Sequence, residues 1–338
     1  PEPAYIETLP QETILQIFDN LDMADILNAC QTNVLWSNIC KDNVLWKKLY
    51  EKDFPNAGKV TGLYYDSYLF KIAIKNGDAD TVKRLLQDSG VNPAANNNLA
   101  IQVSSQNGHA DVVKLLLADG RADPAARNNY AIRVSSELGH TDVVRLLLAD
   151  GRVDPAAKHN IAIKQSSLNG HADVVKLLLR DGRADPAAGD NNYVIRFSSA
   201  RGNADVVQLL LEDGRADPTD DDNWPIGVSS MFGRTDVVKL LLADGRADPA
   251  AKHNIAIRMS SERGHTDVVK MLLTDPRVDP TAVDNEAIIL AKKQGHTEIV
   301  ELLLQDPRVK ITREEIARLQ FTINTRSSYR RSRREYYI

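Results

Sequence analysis

Between residues 68 and about 309, the apolar positions of this 338-residue chain fall into a recurring two-part pattern. A short block such as Tyr130-Ala131-Ile132 is followed, after a Ser-Ser pair and a glycine, by a denser block, Val143-Val144 and Leu146-Leu147-Leu148. The dividing glycine falls at Gly77, Gly108, Gly139, Gly170, Gly202, Gly233, Gly264 and Gly295. The spacing is 31 throughout, except one step of 32 where an extra residue lies near Asn191 and Asn192. A fixed period in this range is the signature of a solenoid, in which each unit buries its apolar side against its neighbours.

Each unit reads as two helices. Asn129 is placed to cap a first helix running through Ser136, with Ala131, Ile132 and Ser135 on one face. Gly139 can adopt a left-handed conformation and end it. A second helix spans about Thr141 to Ala149, with Asp142 in its first turn, where an acid suits the helix dipole. Gly151 ends that helix, and the stretch from Arg152 to Lys158, containing Pro155, leads extended or turn-like to the next cap. One such hairpin cannot cover its own stripe. Stacked neighbours can, each fully buried Leu or Val contributing roughly 1.5–3 kcal/mol.

The same letters offer a rival reading, because Ser135, His140 and Asp142 are the residue types of a hydrolase triad. The set recurs at 166/171/173 and at 260/265/267. An enzyme has no use for one triad per repeat, so the serines are expected at close helix approaches. The histidines His109, His140, His171, His265 and His296 are expected to bond backbone between units. His159 and His253, both in "KHN", are expected in solvated loops. No Walker loop, dinucleotide fingerprint or HExxH is present. No catalytic residue, cofactor or metal ligand is therefore expected.

The run G-H-x-D-V-V-x-L-L-L followed by D-P-A-A resembles the ankyrin repeat over residues 68 to about 309. It departs from that family in lacking T-P-L-H: "YAIR" at Tyr130–Arg133 replaces it, and only "WPIG" at Trp224–Gly227 keeps the proline. The units are also about two residues short of the family's 33. The resemblance implies an α-solenoid with stubby loops or fingers, and a concave groove lined by first-helix residues. The target-binding residues it implies are Arg133, Arg196, Phe197, Val228, Arg258 and Met259. To these are added Trp224, Met231 and Phe232, where the pattern breaks most, beside the acids Asp220 to Asp222. Aromatic and methionine side chains are common interface anchors. Packing of Trp224 and Phe232 against neighbouring helices is the open alternative.

Residues 8–54 have a different texture. Pro10 suits a first helical position, and Ile14, Ile17, Phe18 and Leu21 form an apolar stripe. About 50 residues make a marginal core alone, which leaves an apolar face for a partner. The spacing L-P-x-E-x-I-x-x-I-F-x-x-L, then D-x-x-L-W-K, resembles the F-box, with Thr13 where that family has leucine. The resemblance implies docking on a Skp-type adaptor of a cullin–RING ubiquitin ligase through Leu9, Pro10, Ile14, Ile17, Phe18 and Leu21. A helical cap shielding the first repeat is the alternative. The predicted organisation is a leader (1–7), the F-box-like domain (8–54), a linker (55–67), the solenoid (68–311), a capping helix (312–325) opened by Thr312 and Glu315, and a basic tail (326–338).

Charge adds one asymmetry. The chain carries 42 Lys and Arg against 46 acids, a net −4. Residues 308–338 hold nine cations against three acids and stand at +6, so the preceding 307 stand at −10. Nucleic acid is therefore an unsuitable partner for the body. The tail is either a nuclear-import or anionic-surface segment, or a solvated end. Cys30 and Cys40 are too few for a disulfide framework, and no apolar run reaches the roughly 18 residues of a membrane span. The expectation is an all-α, non-secreted protein of cytoplasm or nucleus, monomeric within a hetero-complex. It would hold an unidentified target for ubiquitin transfer, or act as a scaffold or sequestering protein without that link. The order of modules resembles F-box–ankyrin proteins of protists, fungi and large DNA viruses of amoebae, the viral ones acting in host cytoplasm.

Overall fold

The computed structural model describes residues 43–53, 64–87, 90–188, 192–312 and 314–315, with single residues 13, 16, 17, 21 and 26. Among the described residues every regular element is helical. Helix α1 (Asn43–Asp53) precedes eight helix pairs: α2 (Tyr64–Asn76) with α3 (Ala79–Gln87), α4 (Ala95–Gln106) with α5 (Ala110–Asp119), α6 (Ala126–Glu137) with α7 (Thr141–Asp150), and α8 (Ala157–Leu168) with α9 (Ala172–Asp181). Then follow α10 (Tyr193–Arg201) with α11 (Ala204–Asp213), α12 (Asp220–Met231) with α13 (Thr235–Asp244), α14 (Ala251–Arg263) with α15 (Thr266–Leu273), and α16 (Ala282–Gln294) with α17 (Thr297–Gln305). The chain divides into two compact units, residues 1–135 with 140–154, and residues 136–139 with 155–338. In the second unit first helices pack on first helices and second on second, giving two layers. The fold is an all-α, ankyrin-like solenoid.

The layers are held by the stripe the sequence predicts. In the second helices Val143, Val144 and Leu147 are fully buried, as are Val174, Val175 and Leu178 one period on. In the second unit Val175 packs with Val194, Ile195, Val206 and Leu210 of the next repeat. Both serines of each pair are fully buried, at 135/136, 166/167 and 260/261 among others. The first hydroxyl donates to a carbonyl one turn back in its own helix, Ser135 Oγ to Ala131 O at 2.8 Å. Small side chains here permit close helix approach.

Polar side chains then fasten each repeat to the one before. His140 Nε2 lies 2.9 Å from Gln106 O, and His171 Nε2 2.9 Å from Glu137 O. A carbonyl only accepts, so Nε2 carries the proton. Where histidine is missing another donor stands in: Asn203 Nδ2 donates to Leu168 O at 3.0 Å, and Arg234 Nε to Ala200 O at 3.1 Å. These carbonyls lie in the last turn of the preceding first helix, where the helix has no partner for them.

The second helix is capped in the same way by a residue with no role assigned in the sequence reading. Arg215 donates to Leu179 O at 3.3 Å and Ala184 O at 3.0 Å. Asp213 holds it in a two-pronged pair, at 2.7 and 2.9 Å. Arg121 and Arg308 repeat this arrangement with Asp119 and Asp306. The hydrogen bond from each arginine holds Asp119, Asp150, Asp181, Asp213, Asp244, Asp275 and Asp306 below the usual carboxylate range.

The loop to the next repeat corrects one expectation. Asn129 does not cap its own helix through its side chain. It ends three consecutive left-handed residues, Arg127, Asn128 and Asn129, at φ 54°, 56° and 61°. Asn129 N bonds Ala125 O at 2.8 Å and closes a single left-handed turn. Its side-chain oxygen instead accepts from Asp154 N, 25 residues on, at 2.7 Å. The same turn stands at 96–98, 158–160, 221–223, 252–254 and 283–285. It takes the place of the extended fingers, which explains the short period.

At the other end of the first unit, Trp46 of α1 is fully buried. Its ring centroid lies 4.8 Å from Tyr65 and 5.5 Å from Tyr68, both on α2. Tyr50 meets Tyr64 at 5.6 Å, and burial pushes its hydroxyl up to about 12. Lys71 Nζ sits 4.2 Å over the Tyr50 ring, and burial lowers that ammonium to about 8. Helix α2 begins at Tyr64, so residues 64–67, read as linker, are helical and pack on the preceding module. At the C-terminal side Thr312 N donates to Glu315 Oε2 at 2.8 Å and Glu315 N to Thr312 Oγ1 at 3.2 Å, the predicted capping box. The rest of the predicted capping helix, the basic tail, Cys30 and Cys40 lie outside the described residues.

Two stability predictions follow from these ties. Gly233 and Gly245 both have positive φ, 66° and 80°, but a Cβ on Gly233 would meet His265 Nδ1 at 2.5 Å, whereas one on Gly245 meets nothing within 4 Å. Gly245→Ala should cost about 1–2 kcal/mol in urea unfolding, and Gly233→Ala about 1–3 kcal/mol more; equal losses would show that the histidine moves freely aside. The depressed aspartates contribute stability that is complete above the unfolded carboxylate value of 3.8 and is lost as pH falls through their lower folded values. Melting temperature should therefore drop steeply below about pH 4, and Asp213→Asn should flatten that drop.

Candidate functional site

The residues with interaction chemistry left over from packing lie on the first helices. In the second unit they cluster on α8, α10, α12 and α14. Tyr193 and Phe197 sit one turn apart on α10 and stack with centroids 4.2 Å apart. Phe197 reaches Trp224 of α12 at 5.8 Å. The Arg196 guanidinium lies 4.8 Å over the Trp224 ring and pairs with Asp221 at 3.0 Å. Lys252 approaches the same carboxylate at 3.7 Å. Lys164 Nζ lies 5.9 Å over Tyr193. The three aromatic residues are half-buried, so one side of the row is packed and the other faces solvent.

Local sequence explains the placement. The left-handed turn at 221–223 aims Asp221 back over the preceding helix, within reach of Arg196. Pro225 falls in the first right-handed turn after it, where the missing N–H costs nothing. Trp224 thus stands at the start of its helix, next to the acidic tip. Arg258 pairs with Glu286 on α16 and donates to His253 O at 3.3 Å.

Of the predicted target-binding residues, Arg196, Phe197 and Trp224 come together in this row. Val228 does not contribute: it is 6% exposed, packed beneath the face rather than on it. Gly227 precedes it and helix α12 lies close to Ile255, whose Cγ2 a Cβ would meet at 3.2 Å. Phe232 is 47% exposed but follows α12 at its far end, about 12 Å along the axis from Trp224. Met231 and Met259 are half-buried, and the Met231 carbonyl serves His265. Arg133, in the first unit, lies 5.8 Å from the Tyr130 ring. The sequence reading passed over Tyr193. The signal was the residue just after the loop asparagine (Leu99, Tyr130, Ile161, Tyr193, Trp224, Ile255), which varies while its neighbours repeat.

The triad types do not converge. Ser135 is buried against its own helix, His140 is bound to Gln106 O, and Asp142 pairs with Arg145. No group of His, Cys, Asp or Glu among the described residues is arranged to hold a metal ion, and no helix among them is long and apolar enough to cross a membrane. Of the predicted adaptor-binding residues, Ile17 is half-buried and Leu21 is 37% exposed. Leu9, Pro10, Ile14 and Phe18 lie outside the described residues.

Comparison with known families agrees with this architecture. The family described as "Ankyrin repeats (3 copies)" matches residues 69–159, 159–253 and 228–315, and "F-box-like" matches residues 6–52. The chain belongs to the ankyrin-repeat family and carries an F-box-like domain ahead of the repeats. Both families are protein-interaction modules, which makes the chain an interaction adaptor with protein partners. A solved structure, the crystal structure of an ankyrin repeat protein, is similar at 24% identity and a TM-score of 0.43, covering 52% of this chain and 97% of that one. No curated protein sequence matches significantly.

The contrast between Val228 and Trp224 is testable. Val228→Ala should lower unfolding free energy by about 1–3 kcal/mol, the removed methyl groups plus the space they leave. Trp224→Ala, at a half-buried position at the start of its helix, should leave the neighbouring repeats folded by circular dichroism.

Proposed function

We propose that this protein is the substrate-recognition subunit of a cullin–RING ubiquitin ligase. The F-box-like module would dock on a Skp-type adaptor through Leu9, Pro10, Ile14, Ile17, Phe18 and Leu21. The first-helix face of the repeats would hold the target, and other subunits would supply the ubiquitin chemistry in the cytoplasm or nucleus. The observation that carries this reading is the F-box-like match over residues 6–52, directly ahead of repeats that begin at 69. The aromatic packing of Trp46 on α2 supports it further, because it ties the F-box-like module to the first repeat.

Purified chain should retain a Skp-type adaptor on co-expression. The pair Leu9→Ala with Phe18→Ala should abolish retention and leave helical content unchanged. Absence of the adaptor from the wild-type preparation, or its retention by the double variant, would leave a scaffold or sequestering protein as the correct description.

A further inference from the structure

The row of side chains on α8, α10 and α12 has a definite charge order. Lys158 and Lys164 stand at one end, and among the described residues no carboxylate lies within ion-pair distance of either. At the other end are Asp220, Asp221 and Asp222. Asp221 is taken up by Arg196 and Lys252, while Asp222 is exposed and the unpartnered Oδ2 of Asp220 is buried. Between the two ends lie Tyr193, Phe197 and Trp224. Packed helices stand about 8–10 Å apart, so two spacings put the ends roughly 16–20 Å apart. An extended chain covers that distance in about five or six residues.

We infer that the partner of this face is an extended segment of a target protein with one aromatic or large apolar side chain at its centre. On one flank, facing Lys158 and Lys164, it carries an acidic residue. On the other, facing Asp222, it carries a basic one. The two charges are about five or six residues apart. The central side chain inserts against Trp224 and Phe197, where aromatic contact adds to the area buried. The charges fix register and direction and reject segments of uniform sign, because a like charge facing either end is repelled. This inference rests on the reading of the repeats as the target-holding half of the molecule, and it adds the chemistry of the target.

The test is selection from a displayed library of random peptides, about twelve residues long, on the full-length chain. Parallel selections use Trp224→Ala, Lys164→Glu and Asp222→Lys, each checked for wild-type helical content. Wild type should enrich peptides with an aromatic residue between an acid and a base at the stated spacing. Trp224→Ala should lower recovery of those peptides at least about tenfold. Lys164→Glu and Asp222→Lys should each replace the facing charge by its opposite. Should Trp224→Ala lose helical content, the two charge variants alone decide. Enrichment without charge order, or charge variants that select the wild-type sequences, would overturn the inference and leave the target-holding reading intact. No enrichment on the wild type would overturn both. Adaptor retention is read separately and is unaffected by either result.

Discussion

A helix ends with carbonyls it cannot satisfy, and in this protein the following repeat supplies their donors. From Gly108 onward, the histidine after each dividing glycine, or the asparagine or arginine in its place, serves the last turn of the preceding first helix. The arginine of the D-x-R segment serves the last turn of the preceding second helix. Positive groups there also meet the negative end of the helix dipole. Burial of valine and leucine provides most of the stabilisation, but it is non-directional. The polar ties set register, because they are made only when one repeat is seated at the correct offset from the next. A repeat is thus chemically complete only with its successor in place.

Much of this was legible in the sequence. The 31-residue spacing, the two apolar blocks and the glycines gave the helix pairs and their ends, since each depends on short-range geometry. The histidine bonds were also foreseeable, because a single side chain recurring at one offset in a stack has few roles. Two features were not legible. Asn129 has the residue type of a helix cap, and nothing local distinguishes a cap from an acceptor for an N–H 25 residues away. Arg152 and its counterparts read as polar loop residues because their partners belong to another repeat.

The interaction face was legible in part for a related reason. Trp224 stood out by breaking the pattern, and Arg196 and Phe197 by their place among the first-helix groove positions. Val228 shared the column of Phe197 and Met259 yet is buried, since Gly227 beside it lets the next helix lie close. A column identifies the side of a helix, and how deep a position on it lies depends on the size of its neighbours. The pairing of Arg196 with Asp221 is likewise a tertiary fact, produced by a left-handed turn that sets Asp221 within reach of the preceding helix.

That turn separates shape from identity. Its three left-handed residues are closed by a main-chain bond, and the last, always asparagine in the described copies, accepts through its side chain from the next repeat in every one of them but 283–285. The two residues before it are Asn-Asn, Arg-Asn, Lys-His, Asp-Asp, Lys-His and Val-Asp in successive described copies. Five pairs so different in size and sign occupy one backbone path in six copies. The tips are thus free to diverge under selection for new ligands while the scaffold stays constant, and a dipeptide transplanted from one tip to another carries its charge with it.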